Sequence, residues 1–190
     1  MPTVFDNIEN QFLENAIGNG LKDALKLAYR GDFCVGYFNL RGWRCIEGVV
    51  ESWHVPNEPN KPPPCRLLVG MHQLPQDQLR FWLEPTSAVQ PDQKRIAQLK
   101  KNAANEFRKQ LTIGFPTDED ESALRKLVKH LKSGKLRVKL FLRHTLHAKL
   151  YLAHRNDSFN PTIAYLGSSN LTFAGLKSQG ELNIDVLEKD

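Results

Sequence analysis

The chain has 190 residues, 41% hydrophobic and 25% charged, the balance of a single soluble domain over 1–190 with one core. No apolar run reaches the roughly 18–20 residues of a membrane span, and the opening MPTVFDNIENQF has no signal-peptide pattern, so a cytoplasmic protein without membrane contact is expected. A net charge of +5 fits an anionic partner, whereas Cys34, Cys45 and Cys65 are too scattered for a disulfide frame or a zinc site.

Residues 5–29 carry Phe12, Leu13, Ala16, Leu21, Leu25 and Ala28 at helical spacing, with Gly18 and Gly20 as a break. DFCVGYFNL, 32–40, is apolar and aromatic enough for a buried strand. Residues 43–50 suit a short helix or turn. The segment 55–64 has five prolines and is a loop. CRLLVGM, 65–71, is a second buried strand.

Residues 91–111 form a basic amphipathic helix, with Ile96, Leu99, Ala103 and Phe107 on one face. Thr117 and Asp120 cap a third helix over 117–132, whose apolar side is Leu124, Leu127, Val128 and Leu131 and whose end lies near Gly134. Strands follow at 136–142, 147–154, 162–170 and 182–188. Helices 5–29, 91–111 and 117–132 with these strands predict an α/β fold: a mixed β-sheet flanked by helices on both faces. The chain closes at Asp190 straight after a strand, and the domain is expected to be the N-terminal part of a longer protein.

The chemistry concentrates in the last third. On a strand over 147–154, His147 and Lys149 are two apart and share a face. The next strand delivers Ser168 and Asn170 to one rim. An imidazole, a fixed cation, a hydroxyl and an amide suit a phosphodiester: the imidazole attacks phosphorus, and Lys149 and Asn170 hold the oxygens as charge builds. Asn39 and Arg41 follow the first strand, where ligands gather in α/β sheets. Arg143 is placed similarly, and these three are candidate substrate contacts. His144, His147 and His154 are too irregular for a metal set, and Lys149 would repel a cation. No metal and no cofactor are expected.

His147-Ala148-Lys149 followed by Gly167-Ser168-Ser169-Asn170 resembles the phospholipase D superfamily, whose signature is HxK, four residues, Asp, then Gly-Ser-x-Asn. The wording HAKLYL and GSSNLTFAGL, with GYFNLRG (36–42) and CRLLVGM, resembles its helicase-associated and restriction-nuclease-like members. His154 stands where the motif has Asp. The resemblance implies the phospholipase D-like fold and a metal-independent phosphodiesterase or nuclease domain of a DNA-processing, helicase-like protein. It implies nucleic acid as partner, DNA before RNA. Because the chain has one motif where the fold uses two, it also implies a homodimer with the active site on the two-fold axis. In that scheme His147 forms a phosphohistidine, and the partner copy's imidazole handles the leaving-group proton. Lys149 and Asn170 clamp the phosphoryl oxygens, Ser168 assists them, and Glu181 orients His147. The alternative is a non-catalytic nucleic-acid-binding or dimerisation module on the same fold.

Overall fold

The computed structural model describes residues 2–6, 20–58, 60–70, 93–111, 117–141 and 146–187. In chain order its elements are β1 (Val4–Phe5), α1 (Leu21–Lys26), β2 (Ala28–Val35), α2 (Leu40–Ser52), β3 (Cys65–Gly70), α3 (Gln93–Leu111), α4 (Asp118–Lys132), β4 (Leu136–Phe141), β5 (Leu150–Arg155), β6 (Thr162–Gly167), α5 (Phe173–Lys177) and β7 (Asn183–Leu187). The strands make one sheet in the order β1-β7-β6-β5-β2-β3-β4. β2, β3 and β4 run parallel to one another, and the remaining pairs are antiparallel. The sheet is therefore mixed and the fold α/β, as expected. No helix among the described residues is long and apolar enough to cross a membrane.

Alternation decides which strand face is buried. Phe33, Val35, Leu67, Val69, Tyr151, Ala153, Ile163 and Tyr165 join one apolar cluster with residues of α1, α2, α3, α4 and α5. Expected on both faces, the described helices gather on this one. Asp32, Cys34, Arg66, Leu68, Leu150 and Leu152 turn the other way and line an open groove. α2 packs against this cluster along much of its length. Leu40, Trp43, Ile46, Val49 and Val50 repeat at helical spacing and are buried. Trp43 meets the His130 ring of α4 edge-on at 5.8 Å, and Phe38 stacks on Phe107 of α3 at 6.1 Å. Burying side chains of this size stabilises the fold by roughly 1.5–3 kcal/mol each.

The first expected helix needs correction. Within 5–29, only Leu21–Lys26 is helical among the described residues. Val4–Phe5 and Ala28–Val35 are strands, and Phe12, Leu13, Ala16 and Gly18 lie outside the described residues. The reason is local. The pairing of β2 with β5 shifts register between Ala28 and Arg30, a bulge that inserts one residue. Buried Ala28 and Gly31 are thus three apart, which imitates a helical step inside a strand. β2 starts before residue 32, and α2 is longer than the short helix expected over 43–50.

The α3 and α4 spans agree with expectation to within two residues. Thr117 caps α4 by accepting a hydrogen bond from the Asp120 N–H at 3.2 Å. The buried side of α4 differs, however. Ala123, Leu127 and His130 face inward, whereas Val128 and Leu131 are exposed. His130 holds that position because its Nε2 meets Glu51 of α2, which satisfies a buried polar atom.

Candidate active site

The pairing scheme brings four chain segments to one end of the sheet. Cys34 of β2 is opposite Leu150 of β5, Leu150 is opposite Leu166 of β6, and Gly167 is opposite Asn183 of β7. The residues that leave β2 and β6 therefore meet those that enter β5 and β7. These are Gly36–Asn39, Ser168–Leu171, Leu146–Lys149 and Glu181–Leu182.

His147 and Lys149 lie just before β5, not on it. Strand alternation does not align them; the Lys149 side chain does. Its ammonium donates to the His147 carbonyl at 3.0 Å and lies 3.5 Å from His147 Nδ1. His147 is exposed and Lys149 half-buried. Asn170 completes the group across Gly36. A Cβ on Gly36 would lie 3.2 Å from Asn170 Oδ1 and 3.8 Å from Lys149 Nζ. A residue without a side chain is what lets these two groups approach the end of β2.

The Asn170 amide is oriented. Its Oδ1 accepts the Tyr37 backbone N–H at 2.9 Å, which leaves Nδ2 as the donor end of the side chain. The loop that carries it is pinned twice to the start of β7. The Ser168 N–H donates to the Leu182 carbonyl, and Ser168 Oγ accepts the Leu182 N–H, both at 3.0 Å. Ser169 is fully buried. Its hydroxyl accepts from Asn183 Nδ2 at 2.7 Å, its N–H donates to Asn183 Oδ1 at 3.3 Å, and its carbonyl accepts the Tyr151 hydroxyl at 2.9 Å. Burial raises the Tyr151 pKa well above its ordinary value, and the Glu181 charge adds to this. Tyr151 thus stays a neutral donor, and Glu181 is near enough for its charge to be felt. Glu181 itself is half-buried just before β7, its N–H on the Asp6 carbonyl at 3.4 Å.

The structure brings His147, Lys149 and Asn170 together. It shows other expected residues in structural contacts. The Ser168 hydroxyl holds β7. Asn39 is the N-cap of α2, accepting the Gly42 N–H at 2.9 Å. Arg41, in the first turn of α2, lies 3.6 Å from Asp120. Arg143 lies outside the described residues. Sequence reasoning missed Gly36, Tyr37, Tyr151 and Asn183. A polar Asn at an inward strand position was the available signal for the last.

His154 faces away from this group. Its Nε2 is 2.9 Å from Asp32 Oδ2 and 3.1 Å from an Arg30 nitrogen, and its Nδ1 is 3.4 Å from the Thr162 hydroxyl. Arg66 makes a two-pronged pair with the same Asp32. Burial pushes the Asp32 carboxyl up, but hydrogen bonds from Arg66 and His154 and the charges of Arg30 and Arg66 outweigh it and hold the group well below the usual carboxylate range. A depressed carboxyl stabilises the fold above its unfolded-state pKa, near 3.8, and that contribution is lost as pH falls through the folded value. Asp32→Asn should therefore cost about 1–2 kcal/mol at pH 7, a figure reduced for partial exposure. The gap to the unmodified protein should close below about pH 4. Urea unfolding across a pH series checks this; a gap constant down to pH 2 would contradict it.

Among the described residues no group of three or more His, Cys, Asp or Glu side chains is placed to hold a metal ion. No family model matches the chain, and no curated protein matches it. Solved structures do. NucT from Helicobacter pylori is 11% identical over 97% of this chain and 84% of its own, with a TM-score of 0.43. Yeast tyrosyl-DNA phosphodiesterase is 12% identical over 100% of this chain, with a TM-score of 0.46; the chain spans 33% of its length. A mutant of the same yeast enzyme gives 12% identity over 93% of this chain and 28% of its own, with a TM-score of 0.41.

Proposed function

We propose that this domain hydrolyses phosphodiester bonds of nucleic acid without a metal, in the manner of the phospholipase D superfamily, as part of a DNA-processing protein. The observation that carries the reading is the approach of both Lys149 Nζ and the Asn170 amide to the same Gly36, with the His147 ring beside Lys149. A fixed cation and an oriented amide donor make a cradle for an anionic tetrahedral group, and a neighbouring imidazole is both nucleophile and base near neutral pH.

In the proposed reaction an imidazole nitrogen of His147 forms a bond to phosphorus as the bond from phosphorus to the leaving alcohol oxygen breaks. A second His147, from a homodimer partner, gives that oxygen its proton. The same second imidazole then takes a proton from water. The resulting hydroxide attacks phosphorus, the nitrogen–phosphorus bond breaks, and a phosphate monoester leaves. Lys149 and Asn170 hold the non-bridging oxygens through both steps. Ser168 acts as a positioning residue through β7, and Glu181 orients the nitrogen of His147 that does not react.

The test is trapping. Acid quenching destroys a phosphohistidine, so denaturation in base after incubation with end-labelled DNA should leave label on the protein, dependent on His147. DNA binding without any label would replace this reading with a non-catalytic binding or dimerisation module.

A further inference from the structure

Outside the candidate active site, positive charge gathers in one cleft. Lys22 of α1, Arg41 and Arg44 of α2 and Lys177 of α5 line about 440 Å³ of space together with Glu119 and Phe173, a volume within the range of ligand sites. Carboxylates temper the charge, Glu47 among them through its effect on Arg44. Arg44 pairs with Glu119 and stands 3.5 Å from Asp120, and Arg41 stands 3.6 Å from Asp120. Of the charged side chains that line the space, four are cations and one, Glu119, is a carboxylate. Phe173 is 46% exposed, and Lys177 Nζ sits 5.6 Å from the centre of its ring. A large aromatic left open among cations is the composition that binds single strands: bases stack on the ring and phosphates meet the cations.

The cleft adjoins the first site through the backbone. A Cβ on Gly42 would lie 2.3 Å from the Leu171 carbonyl oxygen, so α2 starts in contact with the segment that follows Asn170. The Asn39 N–H donates to the same carbonyl at 3.3 Å. Arg41 directly precedes that contact, and Phe173 directly follows Thr172, which caps α5. Phe173 is three residues from Asn170, at most about 11 Å along the chain. A strand held over Lys149 and Asn170 would have no more than this span to cross to reach Phe173.

We infer that this cleft is a strand-holding subsite for single-stranded nucleic acid, in which Phe173 stacks an unpaired base and Lys22, Arg41, Arg44 and Lys177 take the adjoining phosphates. A duplex keeps its bases paired and stacked, so it offers Phe173 no face. The direction of the strand rests on the hydrolase reading; binding in the cleft does not.

The experiment measures fluorescence anisotropy of labelled oligo(dT) in EDTA, with the His147→Ala chain so that the probe stays whole. Phe173→Ala should raise Kd about 5- to 150-fold, and Phe173→Tyr should restore it. Lys177→Gln should weaken binding and lower the slope of log K against log salt by about 0.7. Binding of the same oligomer annealed to its complement should not respond to Phe173→Ala. Unchanged Kd and salt slope in both variants, an equal loss for duplex, or no single-strand binding by the parent would each overturn the inference. Cleavage by the unmodified chain is scored separately. Lost binding in the variants with no histidine-dependent cleavage keeps the subsite and removes the hydrolase; the converse removes the subsite alone.

Discussion

Replacing His147 by alanine is expected to reduce cleavage of DNA by about 10⁴-fold or more, because one substitution removes the nucleophile and, in a homodimer, the proton donor too. The measurement compares unmodified and His147→Ala protein on labelled single- and double-stranded DNA in excess EDTA. His147 is exposed, and a surface substitution of this kind changes stability by no more than about 0.5 kcal/mol. Lost activity in a folded variant therefore reports chemistry. Cleavage that persists in His147→Ala would remove the histidine mechanism. Activity that disappears in EDTA for the unmodified protein would remove the metal-independent one.

The second large effect is expected at Asn170, where the hydrogen-bond geometry separates two functions of one side chain. Its Oδ1 accepts the Tyr37 N–H at 2.9 Å, and its Nδ2 is the end proposed to face the phosphate. Asn170→Asp keeps an acceptor for Tyr37 but replaces the donor by a second oxygen and adds a negative charge opposite an anionic substrate. The expected result is thermal stability close to that of the unmodified protein with kcat lowered by about 10²–10³-fold. Asn170→Ala removes the tether as well and should lower both. Steady-state kinetics beside thermal melts distinguish the two variants. An Asn170→Asp protein that cleaves at the original rate would show that the amide does not hold the reacting phosphate.

The sequence made the later elements legible because their signals are local. The Thr117 cap, the acidic first turn and the apolar spacing of α4 bracket a helix to within a residue. Alternation in LRVKLF and in TIAYLG marks β4 and β6. The first thirty residues were harder, because the bulge near Ala28 lends a strand the spacing of a helix. The site divides in the same way. His147, Lys149 and Asn170 announce themselves by residue type and spacing. What surrounds them depends on contacts between distant segments: Tyr37 with Asn170, Ser169 with Asn183, Gly36 beneath both Lys149 and Asn170. No local pattern encodes such contacts. His154 belongs to this class, since its neighbours Arg30, Asp32 and Thr162 come from two other strands.

β7 carries its polarity reversed. Asn183 and Asp185 point inward, while Ile184 and Val186 are 37% and 47% exposed. A slip of one residue would exchange the two sets and bury the aliphatic pair. Hydrophobic gain alone thus favours the wrong alignment, and what opposes it is polar. Asn183 is bound to Ser169 through both ends of its amide, and Asp185 accepts the Thr3 N–H while its own N–H donates to Thr3 at 3.1 Å. The loop that presents Asn170 is therefore also the gauge that sets the last strand. Substitutions made there to retune chemistry act at the same time on which of two competing alignments the chain adopts, and an apolar replacement of Asn183, favourable by burial, would release the strand it was meant to fix.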